Sequence, residues 1–314
     1  MNLNRKHAAW SGALVAAAVS AGVLVAPVAQ AADGKTKTNT TTVSRVAVKK
    51  PQGGVPAKAA ANAAAKNQQR ATALTATSGT VSLRPGDVLA SNEYIETENG
   101  YLFMQPDGNL VLDHKAGAEL WASGSYGNTG AYAVFQSDGN FVIYKKDGSP
   151  TKGGAVWSSG TWGNPNGHLD FQDDANLVVY RADNSASWST KTWKVGNNTL
   201  TGGQNLERGT WMSATNSILA QDNRGYFAVF YRGKDYGRGF WNYSPGAYTR
   251  MQKDGNLVTY KKDGGEGKGG SIWDTKTWGQ NGAYLTFGAT DSTLVLHKSN
   301  GDVLIDFLTG DSQQ

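Results

Sequence analysis

The sequence predicts an all-β protein built as two tandem domains of three repeats each. Three observations carry this expectation. Short alternating runs are broken by Asp-Gly, as in YLFMQPDGNLVLD, YAVFQSDGNFVIY and YTRMQKDGNLVTY, and a period of two bounded by Asp-Gly marks a β-hairpin. Beyond residue 79 the apolar residues show no helical spacing. The chain also repeats itself at two levels: Gln105, Gln136 and Gln172 begin copies 31 and 36 residues apart, and a longer repeat of about 116–117 residues lies over them. LRPGDVL at Leu83–Leu89 matches LTGGQNL at Leu200–Leu206, Gln105 matches Gln221, Gln136 matches Gln252, and Trp157 matches Trp273. A single repeat is too small to bury its apolar face, so three must share a core.

In chain order, residues 1–31 carry a basic start (Arg5, Lys6), an apolar run from Ala13 to Val25 and the small-x-small sequence Ala29-Gln30-Ala31. This is the order of a secretory signal peptide. The run is short for a membrane span and lacks a basic flank directly after it. A secreted, extracellular protein with no transmembrane anchor in the mature chain is expected. Residues 32–78 are rich in Ala, Thr and Lys and hold no aromatic residue, so they read as a disordered basic tail that cannot offset its ordering entropy. The two repeat domains are expected over residues 79–194 and 195–310.

The net charge of +5 divides unevenly. Residues 1–78 hold ten Lys/Arg and one Asp, which leaves 20 basic and 24 acidic residues in 79–314. A mildly acidic folded part argues against a nucleic-acid partner. With no cysteine, disulfides, thiolate metal sites and thiol nucleophiles are excluded. Ten Trp, thirteen Tyr and nine Phe point to aromatic burial as the source of cohesion. Trp121, Trp157, Trp188, Trp241 and Trp273 each follow a repeat at a matching place and are expected to point inward around a threefold-like axis; Trp162, Trp193 and Trp278 stay open between core and surface.

The chemistry is concentrated in one motif. QSDGNFVIY at Gln136–Tyr144, QDDANLVVY at Gln172–Tyr180 and QKDGNLVTY at Gln252–Tyr260 keep Gln, Asp, Asn, Val and Tyr while the residues between them vary. On a strand, Asn140, Val142 and Tyr144 share one face and Phe141 and Ile143 the other. Amides and a phenol both donate and accept hydrogen bonds, a carboxylate accepts, and a small apolar residue sits among them, a match for sugar hydroxyls and a C–H face. Turn chemistry alone accounts for Asp-Gly. It does not account for Gln172–Tyr180, where Ala175 replaces Gly and all five motif residues remain.

This repeated Q-x-D-x-N-x-V-x-Y, in register with L-x-x-G-x-x-L and the Trp positions over residues 79–310, resembles the bulb-type (monocot) mannose-binding lectin family. The resemblance implies two tandem β-prism II domains, each of three four-stranded antiparallel sheets with pseudo-threefold symmetry. It implies three mannose pockets: Gln136, Asp138, Asn140, Val142 and Tyr144; Gln172, Asp174, Asn176, Val178 and Tyr180; and Gln252, Asp254, Asn256, Val258 and Tyr260. In the family, Asp and Asn bond the axial hydroxyl at carbon 2, Gln and Tyr bond those at carbons 3 and 4, and Val meets the ring carbons. Strand exchange between domains or chains is common there, which leaves an oligomer open.

Three repeats depart from the pattern. Gln105, Asp107, Asn109 and Val111 stand, with Asp113 in place of Tyr; Gln221 leads into DNRGYFAVFY; and Ala289, Asp291, Thr293, Val295 and His297 keep only Asp and Val. Four scattered His, no G-x-S-x-G and no phosphate-binding Gly loop argue against an enzyme. The Asp-Gly loops miss the calcium template, so no metal and no cofactor are expected. The expected partner is a mannose-containing glycan or a cell-envelope polysaccharide. The tandem layout also resembles lectin-like bacteriocins, so a bacteriocin or the targeting subunit of a secreted antibacterial toxin complex is the alternative reading.

Overall fold

The computed structural model describes residues 79–234 and 237–307. The expected signal peptide and basic tail, residues 1–78, lie outside the described residues. Within the described residues the regular structure consists of strands alone, arranged as six four-stranded sheets whose pairs are antiparallel. Asp-Gly turns close the central hairpins, and the alternation on either side of them sends one residue set inward.

In the first prism a leading segment threads all three sheets together. Val81–Leu83 joins His168–Phe171, Leu177–Tyr180 and Ala186–Ser189; Val88–Leu89 joins Tyr132–Phe135, Phe141–Ser149 and Gly153–Ser158; and Glu93–Glu96 joins Gly100–Met104, Leu110–His114 and Glu119–Ala122. The second prism repeats this plan. Thr199–Leu200 pairs into its third sheet, Asn205–Leu206 into its second and Trp211–Ser213 into its first. This threading explains the matched LRPGDVL and LTGGQNL runs: Leu83 and Leu89, like Leu200 and Leu206, drop into the core from successive sheets.

Three tryptophans lock the first prism. Trp121, Trp157 and Trp188 pack edge-on with ring centroids 5.4, 5.5 and 6.0 Å apart, an arrangement that aligns electron-poor ring edges with electron-rich faces. In the second prism the expectation for Trp241 is corrected. Its ring is 46% exposed, and Phe240 instead stacks on Trp273 at 3.5 Å, with Phe307 closing the group. Phe240 pairs with core residue Phe227, and one step along a strand reverses the face, so Trp241 is turned outward.

The first sheets of the two prisms pack against each other. Every residue of Ser217–Gln221 is buried. Leu219 faces its own core, whereas Ile218 and Ala220, with Trp211, Ala228 and Phe230, join the apolar cluster of the first prism. Trp211 lies edge-on against His114 at 4.5 Å and donates from Nε1 to the Asp174 carbonyl at 3.2 Å. Asn223 donates its backbone N–H to the Glu119 carbonyl and its amide to Glu119 Oε1 at 2.8 Å. Approach here is close enough that a Cβ on Gly209, at φ +81°, would meet the Leu120 carbonyl oxygen at 2.7 Å.

Carboxylates gather at this seam. Burial, then the Glu119 and Asp222 charges, push Asp113 up to about 7 against the pull of Arg224. Asp222 is pushed up by burial to about 6, although it pairs with Arg224 at 2.6 Å. Burial followed by the Arg232 and Lys115 charges pushes His114 down to about 3. A carboxyl with a raised folded pKa stabilises the fold when protonated, so its contribution fades as pH climbs from about 4 through 7. Asp113→Asn is therefore expected to raise stability by about 1–2 kcal/mol above pH 7 and to change little near pH 4. Urea midpoints of both proteins at the two pH values check this; an equal gain at each would refute the charge explanation.

Candidate functional site

Each complete motif forms one cluster across a hairpin, on the sheet face opposite the core. Val142 pairs with Val134 and Tyr144 with Tyr132, while Phe141 and Ile143 enter the core. The Asp sits on the turn. Its Oδ1 accepts the Asn backbone N–H at 3.0 Å in Asp138–Asn140, 2.9 Å in Asp174–Asn176 and 3.0 Å in Asp254–Asn256. Asp138 and Asp254 are exposed; Asp174 is half-buried and its carboxyl is raised, first by that burial. Gly139 is required at the first turn: φ is +84° and a Cβ would lie 2.1 Å from the Asn164 carbonyl oxygen. Ala175 holds the same left-handed turn at φ +62°, so the third repeat keeps the shape at the cost of some strain.

The Gln and Tyr of each motif are coupled. Gln Nε2 donates to the Tyr hydroxyl at 2.9 Å in Gln136–Tyr144, 2.8 Å in Gln172–Tyr180 and 2.6 Å in Gln252–Tyr260. That bond fixes the phenol as an acceptor from one side and leaves its proton to be donated outward. Burial pushes the Tyr260 phenol up, helped by Glu266, which keeps it protonated. Val142, Val178 and Val258 form the apolar floor, each buried.

The sequence reading missed what aims the asparagine. Asn140 Oδ1 accepts from Ser159 Oγ and from the Thr161 N–H, both at 3.1 Å. Asn176 is held likewise by Thr190 and Thr192, and Asn256 by Thr275 and Thr277. With a backbone N–H on the oxygen, the other amide atom is fixed as the nitrogen, a donor. At Asn256 that nitrogen also reaches Asp274 Oδ2 at 3.1 Å. The signal was present as Trp followed by Ser/Thr two and four residues on. Also missed were the rings opposite each Tyr: Tyr132 on Tyr144, His168 on Tyr180 and Tyr248 on Tyr260, with centroids 5.9, 5.1 and 5.7 Å apart. Each lies four residues before the motif Gln.

The loops beginning at Lys145 and Lys261 curl back over their clusters. Tyr132 and Tyr248 donate their hydroxyls to the Gly148 and Gly264 carbonyls at 2.9 and 3.1 Å. Trp162 and Trp278, each next to a Thr that holds the Asn, are 67% and 61% exposed, and Trp193 is 38% exposed.

Two of the three degenerate repeats are explained by the seam. The turn bonds Gln105 N–H to Asn109 O and Asp222 N–H to Tyr226 O are equivalent, so Gln105 corresponds to Asp222, not to Gln221. Gln221 points into the second core, where Thr249 donates to its Oε1 at 2.6 Å. Ala228 and Phe230 thereby occupy the Val and Tyr places, on the face buried between the prisms. Asp113, at the Tyr place of the first repeat, meets the same seam. In the last repeat His297 stacks on Tyr284 at 4.9 Å.

Among the described residues no cluster of three His, Cys, Asp or Glu side chains is placed to hold a metal ion, and no helix is long and apolar enough to cross a membrane. No family model and no curated protein matches the chain. Solved structures do. A monomeric monocot mannose-binding lectin from Gastrodia elata is 31% identical over 37% of this chain and 99% of its own, with a TM-score of 0.32. A lectin from Allium sativum is 31% identical over 33% of this chain and 95% of its own, TM-score 0.29. The mannose-specific agglutinin from snowdrop (Galanthus nivalis) bulbs, solved with methyl-α-D-mannoside, is 28% identical over 35% and 94%, TM-score 0.29. The chain is thus similar to bulb-type monocot mannose-binding lectins, each matched over nearly its whole length and over about a third of this chain.

Proposed function

We propose that this carbohydrate-binding protein recognises mannose or mannose-containing glycans through three pockets, those of Asn140, Asn176 and Asn256, without a metal ion. The observation that carries the reading is the fixed asparagine orientation. In each motif the amide oxygen is consumed by backbone and hydroxyl donors, which leaves an amide hydrogen and the second oxygen of the Asp to meet a sugar hydroxyl. An axial hydroxyl can accept from the first and donate to the second. An epimer that lacks it leaves the buried Asn amide without that partner, a penalty that favours the sugar carrying the axial hydroxyl.

Several shallow sites on one chain suit clustered glycans, where the second contact forms at high effective concentration. The leading apolar segment supports secretion to the cell exterior, with domains at 79–194 and 195–310. A cell-envelope polysaccharide is a ligand of the same chemistry. The expected result on a glycan array is binding to mannose-terminated structures that survives EDTA. Loss of binding on chelation, or preference for galactose-terminated structures, would overturn the proposal.

A further inference from the structure

The three pockets share five residues and differ in a sixth. The residue paired directly across from the motif Val is Val134 in the first, Asp170 in the second and Arg250 in the third. Such cross-strand partners stand with Cβ atoms about 4.5–5.5 Å apart on one face, so whatever rests on the valine meets this residue next. Around Val134 the surface is apolar, with Val88 and Tyr132 packed beside Val142 and Tyr144. Asp170 is held by Ser82 at 2.6 Å and faces His168 at 3.5 Å.

Arg250 instead lines a groove of about 350 Å³ with Tyr248, Gly264, Gly265, Glu266 and Lys268. The groove opens beside the third pocket: the Tyr248 ring lies tilted against Tyr260 with centroids 5.7 Å apart, and the Tyr260 phenol senses both Glu266 and Arg250. Arg250 is built in, with Nη1 donating to Asn205 Oδ1 at 2.9 Å. Its ion pair with Glu266 is loose by comparison. The Nε–Oε2 distance is 3.2 Å and the Glu266 side chain is 51% exposed, against 26% for Arg250. An exposed pair of this kind contributes little, so an incoming carboxylate or phosphate can replace Glu266 on a guanidinium that stays in place and offers a bidentate face.

Resting on the pocket assignment above, we propose that the third pocket takes a mannoside bearing an anionic group, carboxylate or phosphate, on or next to the pocketed sugar, with Arg250 as its specificity residue. The first pocket takes a neutral neighbour, and Asp170 repels an anion at the second. One chain thus reads three differently charged surroundings of the same sugar.

The test uses full chains with a single working pocket. In N140A/N176A, calorimetric titration with methyl α-mannoside, mannose 6-phosphate and a glucuronosyl-mannose disaccharide measures the third pocket at low and high salt. At least one acidic probe is expected to bind about tenfold more tightly than the neutral one at low salt, with the gap closing at high salt. Which probe gains separates phosphate from carboxylate. Adding R250V is expected to level the ratio, adding E266Q to raise it, and V134R in N176A/N256A to create the preference in the first pocket. An acidic preference that persists in R250V, or none in the parent chain alongside normal mannoside binding, overturns the inference while leaving the pocket standing. No binding of any probe by the parent chain sinks both.

Discussion

Replacing Asn140, Asn176 and Asn256 with alanine in one chain is expected to abolish retention on immobilised mannose. On the proposed function each side chain supplies the amide hydrogen for the discriminating hydroxyl, and a lost hydrogen bond at an otherwise satisfied site costs about 1–3 kcal/mol. That is about ten- to a hundredfold per pocket, enough to carry a shallow sugar site out of range. Alanine also strips partners from the Ser159, Thr190 and Thr275 hydroxyls and the following backbone N–H groups, so some stability goes with it. The isosteric Asn140→Asp/Asn176→Asp change, combined with Asn256→Ala because an aspartate at 256 would face Asp274, separates the two effects in the first two pockets. An aspartate keeps an oxygen for those donors and removes the outward N–H. It too is expected to lose retention, with circular dichroism unchanged. A folded Asn→Asp protein that still binds would place the sugar sites elsewhere.

The second large effect concerns the cores. Trp157→Ala is expected to destabilise the first prism by about 3–5 kcal/mol, the range for emptying an aromatic core position. Trp157 touches Trp121, Trp188 and Phe141, so its removal unlocks all three sheets at once. Trp241→Ala is the informative contrast. Its ring is half in solvent and rests on Tyr226 and Phe230, and its loss is expected to cost about 1 kcal/mol or less. Urea denaturation followed by circular dichroism compares them, and similar costs for the two would contradict the inward placement of Phe240.

Period-two alternation, Asp-Gly turns and two nested repeats made the fold class and six-sheet plan legible, because each is a local property of short strands. That the Val and Tyr of each motif share one face was legible for the same reason: a spacing of two on a strand is already a face. Three things were not. The partners that aim each Asn come from the strand end 19 residues on for Ser159 and 14 for Thr190, and only folding brings them together. The identity of the residue opposite each Val depends on register across a hairpin. The move from Trp241 to Phe240 and from Gln221 to Asp222 turns on one-residue shifts that sequence alignment between divergent repeats absorbs without trace. The seam was hidden for a related reason: Ala228 and Phe230 look like ordinary strand residues until the opposing sheet is in place.

That seam has a consequence for how the molecule behaves when scarce. Its two halves belong to one polypeptide, so they meet at an effective concentration that dilution cannot lower. A lectin assembled from separate subunits falls apart as it spreads from its source and forfeits its multiple grip. Here the spacing and relative direction of the three motif clusters persist down to the last molecule, and with them, on the proposed function, the means to bridge two branches of a glycan.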